Sequence, residues 1–279
     1  MPQDTPQGRI DRIRPIFDHL GEVPQKLSLL GAGAQSGVWR VDTARASYAL
    51  KVYKTPQGCL APDEDVRLRR WLLAQGAQVI PPVLSSGDVS CPALPGPWVL
   101  DVFARGRPLS RGRLDAAQAA ELGQTLHQVH RAPVATCPSL QELPALPGHI
   151  APLAGSAAFQ TTLQENRLAH VLTRPARPVL CHADIHPGQF LVSPEKQIVL
   201  LDFAGTRLCD RRWDLAHVML CFDAPAYAAM AEAYGTPASQ PDEVQPFARA
   251  LALAWVARGR AHQIRQGQQF LTRMPLRGR

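Results

Sequence analysis

The residues with the clearest chemical potential are His182-Ala183-Asp184, Gln189 five positions after that aspartate, and Asp202-Phe203 beyond a short turn. Phe190-Leu191-Val192 and Ile198-Val199-Leu200-Leu201 read as short apolar strands joined at Ser193–Lys196, so Asp184 and Asp202 lie at the ends of neighbouring elements and can converge. Phosphoryl transfer needs such a pair: one acid orients and deprotonates an attacking hydroxyl, and the other holds Mg2+ against nucleotide phosphates. Gln189 offers a side-chain oxygen to a second metal. Lys51 lies inside the otherwise apolar run Tyr48-Ala49-Leu50-Lys51-Val52-Tyr53, where an ammonium is costly unless an anion meets it.

The elements that must position these groups change character along the chain. Leu27–Leu30, Val38–Val41 and Tyr48–Tyr53 read as strands, the first two separated by the glycine-rich turn Gly31-Ala32-Gly33-Ala34-Gln35-Ser36-Gly37. A glycine-rich turn alone also fits a dinucleotide fold. The strand-like alternation of Val38–Val41 behind it favours a hairpin over phosphates, with the amides of Ala34, Gln35 and Ser36 as donors. Asp63–Gln75 has helical spacing, with Val66, Leu68, Trp71 and Leu72 on one side and Arg67, Arg69 and Arg70 on the other. Val79–Leu84 and Trp98–Phe103 add two strands, giving an antiparallel α+β unit of about a hundred residues. Helices are expected at Asp115–His130, Ala157–Leu172, Trp213–Phe222, Ala224–Tyr234 and Val244–Gly267, with a further short strand at Val179-Leu180. Gly106 and Pro108 interrupt the pattern between the halves.

Taken together, these motifs resemble the aminoglycoside phosphotransferase family and its choline, homoserine, thiamine and fructosamine kinase relatives. The family pattern is His-x-Asp-x-x-x-x-Asn with Asp-Phe or Asp-Trp a dozen or so residues on, and the resemblance runs from about Leu27 to Phe222. It implies a bilobal, protein kinase-like α+β fold with an antiparallel-sheet lobe at 1–103 and a mainly helical lobe at 104–279. It implies ATP and Mg2+ as cofactors, Asp184 as catalytic base, Asp202 as metal ligand and His182 as support for the loop. Gln189 stands where the family has Asn, one methylene longer. Lys51, by the same resemblance, contacts the phosphates and pairs with a helix carboxylate, taken as Glu64 with Asp63 and Asp65 as neighbouring alternatives. The turn from Gly31 through Gly33, Ala34, Gln35 and Ser36 covers the phosphates. Trp98–Phe103 corresponds to the inter-lobe hinge, with the backbone of Asp101 and Val102 on adenine and Leu100 near the ring; the stretch also reads as a plain buried strand. Asp214, in Asp210-Arg211-Arg212-Trp213-Asp214-Leu215-Ala216, is expected to cap the next helix and brace the catalytic loop.

Spacing narrows the substrate. Helix-like sequence resumes at Trp213, leaving no room after Asp202 for the long activation segment with which protein kinases shape a peptide platform, and no Ala-Pro-Glu follows. A small-molecule hydroxyl is the expected acceptor, a metabolite or an antibiotic. The competing class is a kinase-shaped nucleotide-binding module with little catalysis, suggested by Gln189. Net charge is +7, with 19 Lys+Arg against 13 Asp+Glu in residues 105–279 and 11 against 10 in residues 1–104. The basic residues are scattered, which argues for a solvated surface and against nucleic-acid binding. The same basic bias lowers the expectation of a polycationic acceptor. Six cysteines lie far apart without metal-ligand spacing and read as reduced. No apolar run is long enough for a membrane span, and Met1–Arg14 lacks the apolar stretch of a secretory signal, so a soluble cytoplasmic protein is expected. No feature of the sequence fixes an oligomeric state.

Overall fold

The computed structural model describes residues 6–32, 36–53, 61–77, 80–87, 96–109, 113–137, 146–148, 150–173, 175 and 177–273. The first unit joins helix α1 (Pro6–Asp18), strands β1 (Lys26–Ala32), β2 (Ser36–Asp42) and β3 (Ser47–Tyr53), helix α2 (Pro62–Ala74), and strands β4 (Val83–Gly87) and β5 (Trp98–Val102). The five strands form one antiparallel sheet in the order β1-β2-β3-β5-β4. Strand alternation sorts its side chains between two faces. Tyr48, Leu50, Val52 and Leu100 pack with Ile13, Ile16 and Phe17 of α1. Tyr53 and Val99 pack on the other side with Val66 of α2. Lys51 belongs to this second face.

Two departures from the sequence reading fall in this unit. The polar N-terminal stretch forms α1, because Ile10, Ile13, Ile16 and Phe17 recur at helical spacing and are buried while the arginines between them face outward. On α2, Arg69 turns inward with Asp65 and Leu72, an i, i+4, i+7 stripe, rather than lying on the solvent side with Arg67 and Arg70. The strand expected at Val79–Leu84 begins at Val83; residues 78 and 79 lie outside the described ones.

The second unit comprises β6 (Arg107–Pro108), α3 (Ala116–Arg131), α4 (Ala151–Ala154), α5 (Ala157–Glu165), β7 (Val179–Cys181), β8 (Phe190–Val192), β9 (Ile198–Leu200), β10 (Arg207–Cys209), α6 (Arg212–Cys221), α7 (Ala224–Tyr234), α8 (Pro241–Arg258) and α9 (Ala261–Arg273). Asp115 caps α3 by accepting the Gln118 amide at 2.8 Å. Leu122, Leu126, Trp213, Met230, Leu251 and Trp255 share the large core of this unit. Here β6, β8 and β9 form one small antiparallel sheet, and β7 pairs with β10, a strand the sequence reading lacked. The helix expected over 157–172 stops at Glu165, Arg167 turns left-handed (φ 56°), and a single 3-10 turn follows at Ala169–Leu172. The helix expected over 244–267 is two helices broken at Gly259. A Cβ there would stand 2.4 Å from the Trp255 carbonyl oxygen in the last turn of α8, so the helix end requires that glycine. One on Gly267 of α9 would stand 2.7 Å from the Ala252 carbonyl oxygen of α8, so the close packing of the two helices requires this one. Among the described residues, no helix is long and apolar enough to cross a membrane.

Candidate active site

The loop leaving β7 carries His182, Ala183 and Asp184 and is fixed from beneath by Asp214, which is completely buried. Its Oδ2 accepts the His182 amide at 2.8 Å and its Oδ1 the Ala183 amide at 2.7 Å. A third bond comes from the buried His130 on α3, whose Nε2 lies 3.0 Å from Asp214 Oδ2 and whose Nδ1 lies 2.8 Å from the Tyr234 hydroxyl. With an ionised Asp214, Nε2–H donates and Nδ1 accepts from the tyrosine. Burial is the largest influence on the Asp214 carboxyl and pushes its pKa up, but the hydrogen bond from His130, the neighbouring His182 and the Ala183 amide outweigh it and hold the pKa below the ordinary value. The expected bracing of the loop is present. The expected helix capping is not: Asp214 sits inside the first turn of α6 and spends its oxygens on the loop, while Asp210 Oδ1 accepts the Arg212 amide at the helix start at 2.9 Å.

This anchoring holds a strained backbone. Ala183 has φ 64° and Asp202 φ 60°, left-handed conformations that cost a non-glycine residue about 1–2 kcal/mol each. His182 ties the two segments together: its Nδ1 accepts the Asp184 amide at 3.3 Å, its Nε2–H donates to the Leu201 carbonyl at 2.9 Å, and its ring meets Phe203 edge-on at 4.9 Å. A one-turn 3-10 helix at Pro187–Gln189 then brings Gln189 Nε2 to 3.5 Å from Asp184 Oδ2. His186 Nδ1 accepts the Gly188 amide, leaving Nε2 directed at Asp184 Oδ2 from 3.8 Å.

Lys51 reaches this cluster from the sheet. Its ammonium pairs with Asp202 and lies over the Tyr53 ring, 4.8 Å from the centroid. Burial raises the Asp202 pKa, but the charge and hydrogen bond of Lys51, with help from His182, bring it below the usual carboxylate value. The expected Lys51–Glu64 pair is absent. Glu64 instead accepts the Ala61 amide at 3.1 Å at the start of α2, where a carboxylate satisfies an otherwise orphaned N–H. The inward acid of α2 is Asp65. It is bidentate with Arg69 (Nε–Oδ1 and Nη2–Oδ2 both 3.0 Å), and Arg69 Nη1 reaches Asp101 Oδ1 at 2.8 Å. The sequence reading missed this buried triad, although the i, i+4 spacing of Asp65 and Arg69 was its visible signal.

Between the two units runs a cleft of about 400 Å3, lined among others by Gly31, Val38, Ala49, Lys51, Gln189 and Asp202. That volume suits a small-molecule site. Gly31 follows a register shift in β1, and Ser36 opens β2 opposite Tyr53; Gly33, Ala34 and Gln35 lie outside the described residues. Asp101 and Val102 line the cleft, and the Val102 amide is already donated to the Pro82 carbonyl at 2.9 Å. Leu100 does not approach the cleft. Strand alternation turns it into the core against α1, where it is fully buried.

Three solved structures share the fold across nearly the whole chain. They are a choline kinase from Streptococcus pneumoniae (TM-score 0.69, 14% identity, 96% of this chain and 100% of that one), a spectinomycin phosphotransferase in complex with ADP and spectinomycin (0.64, 16%, 99% and 95%), and a macrolide 2'-phosphotransferase from Brachybacterium faecium (0.60, 18%, 96% and 100%). No curated protein sequence matches. The bilobal arrangement expected from the motifs is therefore the fold, and because residues 26–251 match the model of the phosphotransferase enzyme family (APH), the chain belongs to that family.

Proposed function

We propose that this phosphotransferase moves the γ-phosphate of ATP to a hydroxyl of a small molecule, with Asp184 as the base. The observation that carries the reading is the meeting of Asp184, Gln189, Asp202 and Lys51 at one end of a cleft of ligand size. Asp184, part-exposed at the cluster, accepts the proton of the attacking hydroxyl. Lys51 exchanges its Asp202 partner for phosphate oxygens when nucleotide enters, so its charge remains compensated. Asp202 and Gln189 suit Mg2+, which takes hard oxygen ligands and binds through one or two carboxylates plus substrate phosphates. Gln189 directs its amide nitrogen at Asp184, and its amide oxygen remains for a metal. The ion, when bound, neutralises charge on the phosphates.

Support for a small acceptor comes from the chain beyond Asp202. A 3-10 turn at Phe203–Gly205 leads into β10, and α6 starts at Arg212, so no peptide platform intervenes. Structural neighbours include a choline kinase, a spectinomycin phosphotransferase, a macrolide 2'-phosphotransferase and a phosphotransferase in complex with GDP and kanamycin, each named for a small molecule.

The test is a panel of hydroxylated metabolites and antibiotics read by coupled ADP release, with Asp184→Ala beside the unaltered chain. Loss of a general base lowers turnover about 100- to 10,000-fold while MgATP binding persists. ATP turnover identical in the two proteins overturns the catalytic reading and leaves a nucleotide-binding module.

A further inference from the structure

We propose that the Asp101 carboxylate, clamped by Arg69, selects the nucleobase, favouring a purine with an amino group at C6 over one with an oxo group there. The inference rests on the cleft being the nucleotide site and adds the side chain that reads the base there.

Position comes first. The β3–β5 register sets Val99 opposite Lys51 and Asp101 opposite Ala49. Asp101 is thus two strand residues, about 7 Å, farther along the cleft than the Lys51 row. Lys51 and Asp202 mark the phosphate end, so Asp101 stands where the other end of a nucleotide must lie. Its register partner on the same face is Ala49, whose small side chain leaves room for a flat ring.

Chemistry follows from how the triad is satisfied. Asp65 and Arg69 are nearly sealed, with 3% and 6% of their side chains exposed, and Arg69 commits three N–H groups to the two carboxylates. Asp101 keeps 18% exposure and lines the cleft. Its Oδ1 is held by Arg69, and its Oδ2 has no hydrogen-bond partner among the described residues. The cleft wall therefore presents one fixed acceptor. A 6-amino group donates to it; a 6-oxo group sets a carbonyl oxygen against a carboxylate. The paired N1–H and 2-amino donors of guanine match a carboxylate with two free oxygens, and here one is occupied. Burial, the largest influence, pushes the Asp101 pKa up to about 6 against the pull of Arg69, so the charge is held at this wall at a cost an apolar side chain would avoid.

Calorimetric titration of the unaltered chain with Mg2+ complexes of ATP, inosine triphosphate and the unsubstituted purine riboside triphosphate tests the assignment. Removing the amine is expected to weaken binding about tenfold, one hydrogen bond to a charged acceptor, and inosine triphosphate is expected to bind more weakly still. Asp101→Asn, with melting as its fold control, is expected to level or reverse the ATP-to-inosine triphosphate ratio, because the amide supplies an N–H. Equal binding of the three nucleotides, or an unchanged ratio in a folded Asn variant, overturns the proposal while leaving the nucleotide site intact. Failure of all three to bind overturns the nucleotide reading itself. If the variant does not fold, the ligand series on the unaltered chain decides.

Discussion

Replacing Asp214 by alanine strands three buried donors at once, namely the amides of His182 and Ala183 and the Nε2–H of His130. Each buried unsatisfied donor costs about 1–3 kcal/mol. With partial relaxation of the loop the total is about 3–6 kcal/mol, a large share of the roughly 5–15 kcal/mol net stability of a folded domain. At about 2–4 °C per kcal/mol, melting should fall by about 6–24 °C. Asp214→Asn provides the milder case: one oxygen remains for an amide, but its NH2 meets a donor, for an expected loss of about 2–3 kcal/mol. The left-handed Ala183 is then no longer pinned, so Asp184 drifts, and we expect turnover to drop at least about tenfold at temperatures where the Asn variant is fully folded. The acid limb adds an independent check. The folded Asp214 pKa lies below its unfolded value, so its contribution is present above the unfolded pKa, about 4, and is lost as pH falls through the folded one. Chemical denaturation across pH 3–7 should therefore show a shallower acid loss in the Asn variant. A melting change below about 2 °C with turnover within about twofold of the unaltered chain would refute the bracing role.

Two further outcomes follow from named contacts. Lys51→Met removes the cation that meets Asp202 and, in the proposed reaction, the phosphates; turnover should fall about 100- to 1,000-fold, with weaker MgATP binding in the same titration. Gly123→Ala, on the face of α3 that touches α7, places a Cβ 2.3 Å from the Met230 carbonyl oxygen. The helices must part, at a cost of about 1–3 kcal/mol readable as a lower denaturation midpoint, and unchanged stability would contradict the close approach.

Much of the site was legible in one dimension because its parts are local. His182, Asp184 and Gln189 lie on one loop, and the turn to Asp202 is short, so spacing alone carried their convergence. The alternation of Tyr48–Tyr53 likewise put Lys51 on the face opposite Leu50 and Val52. Asp214 was recognisable by pattern as a brace, although its role as a helix cap was not correct, since capping depends on where a carboxylate points and the loop amides captured it.

What only the tertiary structure decided was the partner of each charge. Glu64 and Asp65 are adjacent in sequence but differ by about 100° around a helix. One caps α2 and the other faces the cleft, and only the docking of α2 on the sheet separates them. Arg69 looked like a surface arginine among Arg67 and Arg70. It is buried because Asp101, thirty-two residues away on β5, arrives beside it with the β3–β5 register. The helical stripe of Ile10, Ile13, Ile16 and Phe17 was hidden by its charged neighbours until a sheet face existed for it to cover. Sequence nominated the groups proposed to do chemistry, since residue type and local spacing carry that signal. Packing determined which charges neutralise one another, because a buried ion pair forms between surfaces that meet only in the folded chain.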